Sequence, residues 1–304
     1  MNRSIAQEIF DAHAARFGTV ADHIEAAETA EVFAIDTVNS DDPICRAAKN
    51  ACLRLGFIAR DAECLAHAWA ARSARLGFDA TAWPDDPLDF GLSRWPRAEA
   101  FAPCPPALGL YAVLPDAGWV ARMARAGVPT LQLRFKSNDT SAIEREVRAA
   151  VDAVAGTGAL LFINDHWQAA IDAGAYGVHL GQEDLDTADL GAIRRAGLRL
   201  GLSTHGYAEM LRADAWSPSY IAMGAVFPTT LKQMATAPQG TVRLAAYARL
   251  MRNHSLVAIG GIDFTRLPEV LASGVGSVAV VRALIAAASP EAEAARFIKA
   301  MQQR

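Results

Sequence analysis

The sequence predicts an α/β protein: a parallel (β/α)8 barrel over residues 107–304, carrying a mainly helical extension at its N-terminus. Three observations predict it. From Leu108 onward, short β-branched or Leu-rich runs alternate with amphipathic stretches, eight times over. Several runs are apolar throughout, as strands of a parallel sheet are when helices cover one face and a core fills the other. Polar and flexible residues collect after these runs, at the end where such barrels keep their reactive groups.

The expected strands are 108–114, 130–135, 160–165, 177–180, 199–204, 220–227, 256–261 and 277–281, each followed by a helix. Local signals support this pattern. Ser141-Ala-Ile-Glu144 reads as a capping box before the second barrel helix. Ser289-Pro290 reads as an N-cap with Pro in the first turn. Gly127, Gly174 and Gly274 read as helix-closing left-handed residues. Just under two hundred residues for eight units leaves room only for short loops, and the long stretch from Pro228 to Thr241 stands out.

Ahead of the barrel, residues 1–79 read as helices. Ile5, Ile9, His13 and Phe17 share one face, as do Ile44, Ala48, Cys52 and Leu55, and Leu65, Trp69 and Leu76 approximate a third. Residues 80–106 hold Pro84, Pro87, Pro96, Pro103, Pro105 and Pro106, six of the chain's 14 prolines. That density opposes regular helix and central strand, so a linker wrapped on the surface is expected.

Composition narrows the function classes. Of 304 residues, 52% are hydrophobic and 20% charged, a mixture able to bury a large core. The formal net charge is -4 with no basic stripe, which argues against a nucleic-acid partner. No apolar run approaches the roughly 18–20 residues of a membrane span, and the N-terminus lacks the apolar core of a secretory signal. Cys45, Cys52, Cys64 and Cys104 form no CxxC pair, so reduced thiols in a cytoplasmic protein are expected. Small-molecule partners fit best, and a homo-oligomer is compatible with the sequence.

The strand ends supply the chemistry. Gln132, Arg134 and Lys136 alternate on an extended segment and so share one face. Arg and Lys together suit a highly charged anion, the one through a planar fork and the other through a point charge. Asp165 and Asp184 are carboxylates of the kind Mg²⁺ takes with water and phosphate oxygens; each is equally readable as a helix-cap or turn residue, and Glu183 competes for the metal. Gly260-Gly261 and Val281-Arg282 end strands seven and eight, where barrel enzymes bind phosphate monoesters through backbone N–H groups; a tight βα turn is the bland account. Thr229, Thr230 and Lys232 lie in the long loop, suited to a diphosphate or simply to solvent. His205 reads equally as a helix-start residue, a proton shuttle or a wall of the site, and His166 and His179 read as packing or supporting residues.

These residues also carry a family resemblance. Residues 108–304 resemble thiamine phosphate synthase. The run from Ile163-Asn-Asp-His-Trp to Gly177-Val-His-Leu-Gly-Gln-Glu-Asp184 is its most specific stretch. Gln132-Leu-Arg134-Phe-Lys136, Leu202-Ser-Thr-His205, Pro228-Thr229, Lys232, Ala237-Pro-Gln-Gly240 and Ala258-Ile-Gly-Gly261 follow in the family's order. The resemblance implies a TIM-barrel transferase of thiamine biosynthesis. It joins 4-amino-5-hydroxymethyl-2-methylpyrimidine diphosphate to a thiazole phosphate and releases diphosphate.

It further implies that Asp165 and Asp184 hold Mg²⁺. Gln132, Arg134, Lys136, Asn164, Thr229, Thr230 and Lys232 surround the pyrimidine diphosphate, with Ser203 nearby; Arg134, Lys136, Ser203 and Lys232 carry the catalytic burden. Gly261, Val281 and Arg282 hold the thiazole phosphate. Two positions depart from the family: Leu231 stands where a second Thr is frequent, and Arg282 where Ser is frequent. The helices of residues 1–79 weakly resemble the tail of a pyrimidine kinase sometimes joined to this synthase. They bring no glycine-rich anion loop, so a packing or assembly element is expected. Two rivals remain: a thiazole tautomerase relative with the same barrel but no need for a diphosphate site, and a non-catalytic scaffold.

Overall fold

A computed structural model describes residues 3–19, 41–92, 97–229 and 237–303. Eight parallel strands close into a barrel in chain order: β1 (Gly109–Leu114), β2 (Thr130–Leu133), β3 (Leu160–Asn164), β4 (Gly177–Leu180), β5 (Arg199–Thr204), β6 (Tyr220–Met223), β7 (Ser255–Ile259) and β8 (Ser277–Val280). Among the described residues three α-helices precede them: α1 (Ile5–Phe17), α2 (Pro43–Arg54) and α3 (Ala59–Leu76). The barrel helices are α4 (Ala117–Arg125), α5 (Thr140–Val154), α6 (Trp167–Ala173), α7 (Leu190–Arg195), α8 (Tyr207–Ala215), α9 (Gly240–Leu250), α10 (Leu267–Ala272), α11 (Arg282–Ile285) and α12 (Pro290–Gln302). Among the described residues no helix is long and apolar enough to cross a membrane.

The period of two along each strand divides the core. Leu110, Ala112, Leu131, Leu133, Leu161, Ile163, Leu200 and Leu202 point outward beneath the helices. Tyr111, Val113, Phe162, Tyr220, Ala222, Val257 and Ala279 fill the interior. Two glycines make that filling fit. A Cβ at Gly201 would lie 2.1 Å from the Tyr220 ring, and one at Gly177 2.6 Å from the Phe162 ring. Register then sets the rim: β3 pairs Asn164 with His179 of β4, and β5 pairs Ser203 with Ala222 of β6.

Several boundaries differ from expectation. β2, β3, β6, β7 and β8 end earlier than predicted, because the ladder stops while the chain continues over the barrel mouth. Asp139 caps α5 by accepting from Ala142 N at 3.2 Å, so Ser141 lies inside the helix rather than capping it. Ser289 stands at the N-cap of α12 with Pro290 behind it, but its hydroxyl makes no cap bond. Gly127, Gly174 and Gly274 do take positive φ.

The helical extension buries the expected faces: Ile9, His13 and Phe17 on α1, Ala48, Cys52 and Leu55 along α2 and its cap, and Leu65 and Trp69 on α3. Ile5 and Ile44 are half-buried, and Leu76 is exposed, at 61%, although Ser73 of the same last turn is buried. The segment between extension and barrel is more than a surface wrap. Trp83, Pro84, Pro87, Asp89 and Phe101 are buried. Arg75 holds Asp89 in a bidentate pair, and Trp83 Nε1 donates to the phenol of Tyr207 at 3.0 Å. Below the barrel, Arg97 pairs with Asp214 at 2.5 Å, Ser219 Oγ donates to Ala102 O, and Ser255 Oγ donates to Pro105 O. Pro96 lies outside the described residues.

Candidate active site

The C-terminal strand ends enclose a cavity of about 670 Å³, within the usual size of a small-molecule site. Its floor is apolar, made by Val113, Ala222, Ile259 and Ala279. Gln132, Arg134, Lys136, Asn164, Asp165, Asp184, Ser203, Thr229, Gly261, Val281 and Arg282 all line it. Thr230, Leu231 and Lys232 lie outside the described residues.

On one side, β2 and β3 present an interlocked polar set. Gln132 Nε2 donates to Asn164 Oδ1 at 3.2 Å, which fixes both buried amides at the mouth. Lys136 Nζ pairs with Asp165 Oδ2 at 2.8 Å. Arg134 makes no ion pair among the described residues. Asp165 has φ 62, a left-handed backbone that Asp tolerates better than most residues. His166, not Asp165, stands at the N-cap of α6, so the cap account of Asp165 does not hold. His166 Nε2 instead pairs with Phe135 O at 2.9 Å, supporting the segment that carries Lys136.

Asp184 accepts from Gly181 N through Oδ2 at 2.8 Å, closing the turn after β4. Burial pushes its carboxyl up; the Gly181 amide opposes this, the Asp165 and Glu183 carboxylates add to it, and Lys136 lowers it. Asp165 and Asp184 thus feel each other across one cavity. Among the described residues no three His, Cys, Asp or Glu side chains cluster as metal ligands. A carboxylate pair with room for water and phosphate oxygens is nonetheless the donor set Mg²⁺ takes.

Charge bears on the same question. Among the described residues, Arg134, Lys136, Arg266 and Arg282 face Asp165, Glu183, Asp184 and Asp263 around the cavity. Among the described residues these four cations balance four anions, so they alone give a multiply charged anion little net field.

On the opposite side, Gly260 (φ 106) and Gly261 (φ 64) turn the chain after β7. A Cβ at Gly261 would lie 2.6 Å from Pro228 O, and one at Gly260 2.6 Å from the Ala225 Cα. Packing alone therefore demands both glycines, and the bare backbone they expose remains available to an oxyanion. Val281 is the N-cap of α11, which starts at Arg282.

Two features were not legible beforehand. Arg266 lines the cavity, donates to Gly261 O at 2.6 Å and stacks over Phe227 at 4.5 Å. A single Arg five residues past a Gly-Gly turn gives no periodic signal. His179, expected as a supporting residue, joins a polar line through the barrel. Its Nε2 meets Ser203 Oγ at 2.8 Å, its Nδ1 meets Tyr220 OH at 2.7 Å, and that phenol meets Tyr111 OH at 2.7 Å. The line fixes the Ser203 hydroxyl from below. His205 is a wall residue tied to Glu209, with Nδ1 to Oε2 at 2.6 Å.

Residues 111–284, more than half of the chain, match the sequence model of the family described as thiamine monophosphate synthase. The chain belongs to the thiamine monophosphate synthase family. Within that family, a thiamine-phosphate synthase of Neisseria meningitidis serogroup A is 56% identical over 197 residues, covering 65% of this chain and 96% of the relative. One of Cronobacter sakazakii is 55% identical over 184 residues, covering 60% and 88%. A thiamine phosphate pyrophosphorylase structure from Pyrococcus furiosus superposes with a TM-score of 0.57 at 26% identity, over 64% of this chain and 96% of that one. About a third of this chain therefore has no counterpart in these family members.

Proposed function

We propose that the barrel is a thiamine-phosphate synthase, joining 4-amino-5-hydroxymethyl-2-methylpyrimidine diphosphate to thiazole phosphate with release of diphosphate. The observation that carries this reading is the single cavity whose one side gathers Gln132, Arg134, Lys136, Asn164, Asp165, Asp184, Ser203 and Thr229, and whose other side offers Gly261, Val281 and Arg282. Two anions of different charge call for two unlike walls. The cation-and-carboxylate wall suits a diphosphate with its metal; the backbone wall suits a monoester. A thiazole tautomerase would leave the first wall without a task, and that alternative is not favoured.

Under this reading Asp165 and Asp184 hold Mg²⁺, which when bound neutralises diphosphate oxygens. The chain's own groups do the rest. The bond between the pyrimidine methylene carbon and the diphosphate oxygen breaks, and a bond from that carbon to the thiazole nitrogen forms. Arg134 and Lys136 stabilise the charge growing on the departing diphosphate, each well-placed donor contributing roughly 3–4 kcal/mol. Gln132, Asn164 and Ser203 orient the pyrimidine half, and the apolar floor keeps two rings in line and excludes water. No strong base is required.

Residues 107–304 carry catalysis in this account, with 1–79 as an added helical unit and 80–106 as its connector. Four free cysteines agree with a reducing cytoplasm as the site of action. The direct test omits each substrate in turn and identifies the product by mass. Thiamine phosphate should form only when both substrates and Mg²⁺ are present. Conversion of thiazole phosphate without the pyrimidine diphosphate would support the tautomerase, and binding without turnover would support a scaffold.

A further inference from the structure

Helix α8 follows β5, the strand that delivers Ser203 and His205 to the cavity. Its N-cap is Gly206, which has no side chain to satisfy the first-turn amides. The missing acceptor comes from 147 residues away. Asp61, on α3 of the extension, is buried at 4% exposure and accepts from Ala208 N at 2.9 Å, the bond an N-cap side chain ordinarily makes. A Cβ at position 206 would lie 2.0 Å from Asp61 Oδ2, so glycine there is what admits the carboxylate. Glu209, in the same first turn, holds His205 through both its backbone N–H and its ring.

The next barrel helix is gripped in the opposite sense. Arg243, buried on α9, donates to Leu55 O at 3.1 Å and Gly56 O at 2.9 Å, the carbonyls ending α2, and lies over the Phe57 ring. Trp83 donates to Tyr207, whose ring packs edge-on against Tyr247 at 4.9 Å, and Tyr247 OH donates to Gln239, the residue before α9. The extension thus places a carboxylate on the amino end of α8 and receives a guanidinium on the carboxyl end of its own α2, each charge of the sign a helix terminus favours.

We propose that the N-terminal helices are a fixed support for the synthase site, with Asp61 as a positioning residue that sets the β5–α8 rim carrying Ser203 and His205. This rests on the synthase reading for its kinetic consequence but not for its structural one. The family members matched above align with only about two thirds of this chain, so the support is a feature of this chain rather than of the barrel as such.

The test compares full-length wild type, Asp61→Ala and Asp61→Asn by amide hydrogen exchange over residues 203–212 and by steady-state kinetics with each substrate varied. In Asp61→Ala, exchange at Tyr207 and Ala208 should accelerate at least about tenfold. The kcat/KM for the pyrimidine diphosphate should drop about tenfold, with the KM for thiazole phosphate unchanged within about twofold. Asp61→Asn keeps a carbonyl acceptor and should recover most of both. Gly206→Ala, which disturbs the same contact from the barrel side, should reproduce the kinetic split, and it decides the matter if Asp61→Ala does not fold.

Unchanged exchange in Asp61→Ala, or equal weakening of both substrates with no recovery in Asp61→Asn, overturns the proposal. A wild type that turns over neither substrate sinks the synthase reading instead, and exchange in the first turn of α8 still decides the role of Asp61.

Discussion

Asp165 combines two demands in one residue: a left-handed backbone and a carboxylate at the cavity mouth. The two are separable by substitution. Asparagine tolerates that backbone nearly as well as aspartate but carries no charge, whereas alanine loses the charge and is strained by roughly 1–2 kcal/mol. Asp165→Asn should therefore keep the wild-type melting temperature and lose Mg²⁺-dependent turnover, while Asp165→Ala should lose turnover and melt lower. Thermal melts beside the two-substrate assay check this; full turnover in Asp165→Asn would remove it from the metal site. At this scale the sequence was informative wherever a side chain's direction follows from strand period. Gln132, Arg134 and Lys136 reach the cavity because they lie two apart on an extended segment. Arg266 and the His179 line depend on which loops and interior residues meet across the barrel, and no local period records that.

At the scale of elements, α1 is anchored by a titratable group. His13 is buried among Phe17, Trp69 and Trp83, with Nε2 bonded to Ala80 O at 3.0 Å. Burial lowers its pKa below 6.5, with the Ala80 carbonyl opposing. Between pH 6.5 and the lower folded value, the unfolded chain binds more protons than the folded one, so His13 makes stability fall as the pH falls through that window. His13→Gln keeps a donor for Ala80 but does not titrate. Denaturation between pH 7.5 and about pH 5 should show a steeper loss in wild type than in the variant; parallel curves would contradict the burial account. The strands of the barrel were legible from their apolar runs, and their ends less so. Beyond Leu133 the Arg134-Phe135-Lys136 run keeps the strand's alternation, and beyond Met223 Ala225, Val226 and Phe227 stay apolar, so both read as strand after the ladder has stopped. The burial of Trp83 and Phe101 arises from contacts with Tyr207 and with the Ser217 carbonyl, both more than a hundred residues away, and composition reported only the prolines around them.

At the scale of the whole molecule, a closed parallel barrel brings residues from all eight strands and the turns after them into one cavity, and an appended helical unit clasps two of the helices behind it. Among the described residues the charged side chains lining the cavity are balanced, four cations against four anions, which favours a diphosphate that arrives with a further cation. The most direct measurement is the yield of inorganic diphosphate and of thiamine phosphate from the full-length protein as Mg²⁺ is titrated from chelated to saturating levels. Diphosphate and thiamine phosphate should appear in equal amounts and rise together with Mg²⁺. Turnover that persists under chelation, or diphosphate released without an equal amount of thiamine phosphate, would contradict the account.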